Sequence, residues 1–138
     1  MATQIFVNLP VKDLPRAVGF FTKLGFTFNP QFTDENATCM IVGKEIFVML
    51  LVEKFFKTFT GKEVADAAKS TEVIVALSAG SRQEVDGMLD RARAAGGKES
   101  RPPQDYGWMY GRGFEDVDGH LWEILYMDEE ALKKQQAK

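Results

Sequence analysis

The sequence predicts an α+β fold of two βαβββ modules within a chain of 138 residues. Two observations lead to this prediction. Strands with alternating apolar residues twice lead into a helix that ends at glycine, and further strands follow each time. Near the C-terminus, Asp118-Gly119 indicates a two-residue hairpin turn of type I′, which needs positive φ at both positions. We therefore expect the second module to close with an antiparallel hairpin.

The first module is predicted over residues 1–52. Its first strand runs from Ile5 to Val11, because apolar side chains alternate along it. Asp13 can cap the helix that follows, and Gly25 ends that helix. The remaining extended segments are predicted at 26–32, with an interruption at Pro30, and at 37–42 and 46–52.

The second module is predicted over residues 71–127, with a helix that ends at Gly96-Gly97. In its closing strand, Leu121, Glu123 and Leu125 share one face, so that otherwise apolar face of the strand carries one carboxylate. A buried carboxylate needs a partner, which predicts either a ligand-binding role or an ion pair with an arginine or the Trp108 indole. The predicted segments are a strand at 72–78, a helix at 81–95, extended stretches at 98–101 and 106–115, and the closing strand at 120–127.

Two further segments connect and end these modules. The connection at 53–70 is too apolar for a free linker, so we expect it to fold as a lid or a dimer contact, with Phe55-Phe56 as the buried part. The tail at 128–138 is predicted as a short solvated helix, because acidic residues begin it and lysines follow.

Composition argues against several classes of partner. A formal charge of -3 with scattered Lys and Arg gives no nucleic-acid footprint. No apolar run approaches the ~18 residues of a membrane span and no leader is evident, so we expect a cytoplasmic protein with no membrane partner. The single cysteine, Cys39, excludes an internal disulfide or a CxxC metal site and is expected to be buried.

Two stretches carry a family resemblance: FVNLPVKDL at 6–14 and FEDVDGHLWEIL at 114–125. Both resemble the vicinal oxygen chelate superfamily, which includes glyoxalase I, extradiol dioxygenases, and bleomycin and fosfomycin resistance proteins. Val117 stands where the family usually has proline. The resemblance implies a curved mixed sheet around a cleft, with a divalent metal held by inward residues on the first and last strands of each module.

The resemblance places Glu123 on the family's last metal ligand. The first-strand ligand position of module one is Phe6, which cannot bind a metal, and alignment of 6–13 with 72–79 gives Glu72 as its counterpart in module two. The fourth-strand position of module one is Val48 or Met49. A site built on Glu72 and Glu123 for Zn, Ni, Mn or Fe therefore lacks an imidazole and two protein ligands.

Three functions are compatible with this sequence. The first is a homodimeric small-molecule receptor of the resistance-protein type, with no metal or a weakly bound one. The second is a metal-dependent lyase, isomerase or dioxygenase in which Glu123 is catalytic, and the third is a dimeric partner-binding module whose cleft is filled. Arg112 is available to hold an anionic ligand group or to pair with an acid. The predicted ligand-binding residues are Phe6, Asn8, Met49, Trp108, Tyr110 and Arg112.

Overall fold

The computed structural model describes residues 1–136, which form eight strands and four α-helices in two compact units. The first unit spans Met1–Asp66, and the second begins at Ala67. Each has a four-stranded mixed sheet whose first strand lies parallel to its fourth, followed by the third and second. This confirms the α+β fold with a repeated βαβββ order. Among residues 1–136, no helix is both long and apolar enough to cross a membrane.

The first unit follows its predicted elements closely. Asp13 accepts a hydrogen bond from the Arg16 amide (3.0 Å) at the start of the first helix, and Gly25 ends it with φ 103°. The extended stretch predicted at 26–32 is interrupted at Pro30 as expected, because proline cannot donate to a ladder; residues 30–32 form a 3-10 turn and the strand does not resume there. The elements are β1 (Ile5–Val11), α1 (Leu14–Leu24), β2 (Thr27–Asn29), β3 (Ala37–Gly43), β4 (Ile46–Val52) and α2 (Glu53–Phe56).

The connecting segment begins with α2 and a 3-10 turn at Lys57–Phe59. α2 contacts β1 and β4 of its own unit. The ring of Phe55 packs edge-to-face on Phe59 (5.1 Å between centroids), while Phe55 and Phe56 are half-buried. The aromatic residues of this segment thus pack partly within the first unit, and their role as a lid or dimer contact stays a prediction.

In the second unit, one helix covers one side of the sheet. Ser81 caps that helix, and its Val85 and Leu89 are fully buried over the strands that carry Phe114 and Trp122. The elements are β5 (Ile74–Ser78), α3 (Arg82–Ala94), β6 (Lys98–Asp105), β7 (Met109–Glu115), β8 (Leu121–Met127) and α4 (Glu129–Gln136). α4 begins one residue after the start of the tail helix predicted at 128–138, and residues 137–138 of that tail lie outside the described part of the chain.

The turn between β7 and β8 is not the predicted type I′ turn. Gly119 has φ 94°, but Asp118 does not adopt positive φ, and neither does any other non-glycine residue within 1–136. The His120 carbonyl accepts from the Asp116 amide (3.0 Å), and the Asp116 carbonyl accepts from the Gly119 amide (3.1 Å). The connection is therefore a three-residue loop over 117–119 that ends in a left-handed glycine.

The length of this loop sets the register of the hairpin. A two-residue turn would shift the pairing by one residue and exchange the faces of one strand. The observed loop instead pairs Gly113 with Glu123 and Arg112 with Ile124.

Asp116 holds the loop together from inside. Its Oδ1 accepts the amides of Asp118 (2.8 Å) and His120 (3.1 Å), and its Oδ2 accepts the Trp122 indole N–H (2.9 Å). Burial raises the pKa of Asp116, whereas nearby His120 and the hydrogen bond from Trp122 act to lower it. The indole N–H of Trp122 thus donates to Asp116, the acidic residue at the start of the turn.

Candidate functional site

The closing strand β8 has two different faces. Trp122 and Ile124 are buried on the side where α3 packs. Because side chains alternate along a strand, Leu121, Glu123 and Leu125 lie on the other side, as predicted. We call this side of the second sheet the Glu123 face.

The neighbouring strand β7 contributes glycines to the Glu123 face. Gly113 pairs with Glu123 and Gly111 with Leu125. A Cβ on Gly111 would lie 2.5 Å from the Leu125 side chain, and one on Gly113 would lie 2.5 Å from Ser100 Oγ and 3.7 Å from Glu123 Cγ. Glu115 adds a second carboxylate beside the turn. The apolar members of the face are Ile74, Ala76, Met109, Leu121, Leu125 and Met127.

Glu123 forms an ion pair with Arg101 across the intervening strand. Arg101 pairs with Gly113 in register, and its terminal nitrogen lies 3.1 Å from Glu123 Oε2. Arginine, rather than the Trp108 indole, is therefore the partner of this acid. Sequence reasoning did not single out Arg101, because register shifts on both sides of it interrupt the alternation of β6.

Trp108 is the residue immediately before β7. Its ring stacks near Tyr106 (6.2 Å between centroids), and its carbonyl accepts from the Asp128 amide (2.8 Å). The backbone of Trp108 thus ties the start of β7 to the residue that precedes α4.

Tyr110 and Arg112 lie on the opposite side of the sheet from Glu123. Tyr110 donates to Asp86 of α3 (2.6 Å), and Arg112 donates to Asp86 (2.9 Å) and to Glu99 of β6 (2.8 and 3.0 Å). The register therefore separates these two predicted ligand-binding residues from Glu123, and Arg112 pairs with acids, which is the alternative left open for it. The hairpin register would have revealed this, because Arg112 stands opposite buried Ile124.

The contacts on the α3 side of the sheet also shift the pKa values of the side chains that make them. The hydrogen bond from Tyr110 lowers the pKa of Asp86, with Arg112 adding to the effect, and the same bond raises the pKa of Tyr110. Next to them, Arg82 and the Gly107 amide lower the pKa of Asp105 to about 2. These groups satisfy one another, which is typical of a structural network.

Replacing Arg112 by methionine is expected to lower the free energy of unfolding by about 2 kcal/mol. The Arg112 side chain is 13% exposed, and its loss leaves Glu99 without its ion pair. Urea denaturation measures the loss. Arg82→Met is the matched control, because the Arg82–Asp105 pair is more exposed and should cost below about 1 kcal/mol. Equal losses of unfolding free energy in the two variants would contradict a structural role for the Arg112 ion pairs.

The two units can be matched through their helix caps. Phe6 lies seven residues before the cap Asp13, and Ile74 lies seven residues before the cap Ser81. The counterpart of Phe6 is therefore Ile74, and the alignment with Glu72 is wrong. Glu72 is exposed and precedes β5.

Strand pairing also identifies the first-unit counterpart of Glu123. Asn8 pairs with Met49 in the first sheet as Ala76 pairs with Glu123 in the second. Met49, rather than the buried Val48, therefore occupies the equivalent position.

These positions do not fit the metal that the family resemblance implies. Phe6, Met49 and Ile74 offer no oxygen or nitrogen ligand, and Glu123 is engaged with Arg101. Within residues 1–136, no three His, Cys, Asp or Glu side chains are grouped so that they could hold an ion.

Three predicted ligand-binding residues share one face of the first sheet. Phe6 pairs with Phe47 and stacks on its ring (5.0 Å between centroids), and Asn8 pairs with Met49 two residues further on. Phe6 is 51% exposed, whereas Leu9 on the other face is buried. The structure thus brings Phe6, Asn8 and Met49 together.

Paired βαβββ units with this strand order define the vicinal oxygen chelate class of proteins. The chain belongs to the Glyoxalase/Bleomycin resistance protein/Dioxygenase superfamily, whose family model matches residues 4–124. A search of curated proteins finds no match.

Solved structures of this class resemble the chain over most of its length. A hypothetical protein from S. aureus is 27% identical, with a TM-score of 0.78 over 91% of this chain and 94% of that one. A glyoxalase/bleomycin resistance protein/dioxygenase from Nocardioides is also 27% identical, with a TM-score of 0.70 over 92% and 84%. A family enzyme from Burkholderia phytofirmans PsJN is 13% identical, with a TM-score of 0.76 over 88% and 96%, and supports the fold alone.

Proposed function

We propose that the protein binds a small, largely apolar molecule on the Glu123 face of its second sheet. The observation that carries the proposal is the composition of this face, on which six apolar side chains accompany the Arg101–Glu123 ion pair. Apolar walls with a few polar anchors are the usual features of a small-molecule site. The family includes passive binders as well as enzymes, so binding without catalysis is compatible with membership.

The donor chemistry favours this function over a metal-dependent lyase or dioxygenase. Such enzymes use a divalent ion as a Lewis acid. Three of the four positions expected to hold it carry Phe6, Met49 and Ile74, and the fourth, Glu123, is paired with an arginine. Stoichiometric Zn, Ni, Mn or Fe in protein expressed with these ions would overturn the preference.

Thermal-shift measurements test the binding proposal. The panel contains glutathione adducts, catechols and amphipathic antibiotics, each with and without EDTA. A ligand at about a hundred times its Kd stabilises the folded state by about 2.7 kcal/mol, which raises Tm by several degrees. We expect shifts that EDTA does not remove.

A matched pair of variants localises the binding. Ala76 is exposed on the Glu123 face, and Ala94 is exposed on α3. Ala76→Arg should abolish the shifts by filling the face, whereas Ala94→Arg should leave them unchanged. Shifts that survive Ala76→Arg would place the ligand elsewhere, and a panel without any shift would count against a small-molecule site.

A further inference from the structure

The Arg101–Glu123 pair joins two strands that are not neighbours. Arg101 is on β6, Glu123 is on β8, and Gly113 of β7 lies between them in register. Adjacent strands are about 4.8 Å apart, so the two side chains together bridge roughly 10 Å of sheet to bring their charged ends within 3.1 Å. Gly113 has no side chain, and the Ser100 hydroxyl of β6 occupies the space over it, 2.5 Å from where a Cβ would lie.

Much of the hydrogen-bonding capacity of this pair is unused. Within the part of the chain that the structure describes, one Arg101 nitrogen and one Glu123 oxygen make the contact, and neither side chain has another polar partner. A guanidinium has five N–H donors in a planar fork, which matches the two oxygens of a carboxylate. Arg101 therefore retains a set of donors for a further anionic group.

Exposure indicates which member of the pair a ligand reaches. The Arg101 side chain is 53% exposed and the Glu123 side chain 22%. Glu123 is flanked by Leu121 and Leu125 on its own strand and paired with Ala76, so it is the inner member. Its contact holds one end of the guanidinium and leaves the other end accessible.

Resting on the proposed function, we infer that the ligand is a carboxylate with an apolar or aromatic body, bound through its carboxylate to Arg101. Glu123 is a positioning residue that holds the guanidinium over the apolar face. Arginine is suited to this task, because its planar fork is weakly hydrated and binds a carboxylate through two hydrogen bonds.

Isothermal titration calorimetry with three probes of one shape tests this inference. The probes are 2-naphthoate, neutral 2-naphthamide and cationic 2-naphthylmethylammonium. We expect 2-naphthoate to bind at least about tenfold more tightly than the amide, as one charge-assisted bidentate contact is gained. The ammonium probe should bind most weakly, since Arg101 repels it.

Variants test whether Arg101 causes the preference for the carboxylate probe. Arg101→Met should make the acid and the amide bind equally, and Arg101→Lys should retain only part of the difference, because lysine keeps the charge but not the fork. Arg82→Met is the matched control, since Arg82 is also ion-paired and 42% exposed but bonds Asp105 beside α3. It should leave all three affinities unchanged.

The outcomes separate the two proposals. Equal binding of acid and amide by the unmodified protein, or a preference for the ammonium probe, would overturn the carboxylate inference alone. A carboxylate preference that persists in Arg101→Met would also overturn it. Binding of none of the three probes, together with a panel that gives no thermal shift, would overturn both proposals.

Discussion

Gly119→Ala is expected to lower the free energy of unfolding by about 3 kcal/mol. Two effects add at this position. Gly119 has φ 94°, where an L side chain costs roughly 1–2 kcal/mol. A Cβ there would also lie 2.8 Å from the Ala67 carbonyl oxygen and 2.9 Å from Ala68 Cα, so backbone must move. Urea denaturation followed by circular dichroism measures the loss.

Substitutions at two other glycines separate the cost of positive φ from the cost of the close backbone contact. Gly107 has φ 82° but open space around its Cα, so Gly107→Ala should cost only about 1 kcal/mol. Gly61 has open space and no positive φ, and Gly61→Ala should change stability by less than about 0.5 kcal/mol. If Gly119→Ala cost no more than Gly107→Ala, the close approach of 67–68 to the turn would be disproved.

Asp116→Ala is expected to destabilise the protein by about 3 kcal/mol. The substitution removes the acceptor of three N–H groups, from Asp118, His120 and Trp122, at a residue that is 6% exposed. Buried donors that lose their acceptor cost about 1–3 kcal/mol each, less where water can enter. The exposed Asp90 of α3 supplies the control, and Asp90→Ala should be near neutral.

A double-mutant cycle isolates the indole contact. Trp122→Phe removes the N–H that Asp116 accepts, so Asp116→Ala should cost about 1 kcal/mol less in that background. Purely additive free energies would show that the acid stabilises the turn through the backbone amides alone.

Local chemistry in the sequence was sufficient to predict most of the secondary structure. The strands β1 and β4 have their predicted bounds, and Asp13 and Gly25 bound α1 as predicted. Each of these signals depends on residues that are near one another in the chain, such as a cap and the amide three residues later.

Features that depend on register could not be predicted in the same way. Asp118-Gly119 suits both a two-residue and a three-residue turn. The Asp116 side chain favours the longer one by accepting the amides at both Asp118 and His120. One residue of loop length then decides that Arg112 faces α3 and that Gly113 stands beside Glu123.

The site residue Arg101 was missed for a related reason. Its strand has register shifts between Glu99 and Arg101 and between Arg101 and Gln104, so residue parity does not indicate which face it occupies. The carboxylate of Glu123 was recognisable from its strand alone, whereas its partner depends on three strands being placed side by side.

The glycines of β7 also determine how flat the Glu123 face is. The Leu125 side chain occupies the space over Gly111, and the Ser100 side chain occupies the space over Gly113. Both side chains therefore lie along the sheet, where a larger residue on β7 would form a ridge between them. A low surface of this kind favours flat molecules, because a ring can contact it over a whole side. Ligands built on fused planar rings should thus gain more contact area here than branched or globular ones of equal mass.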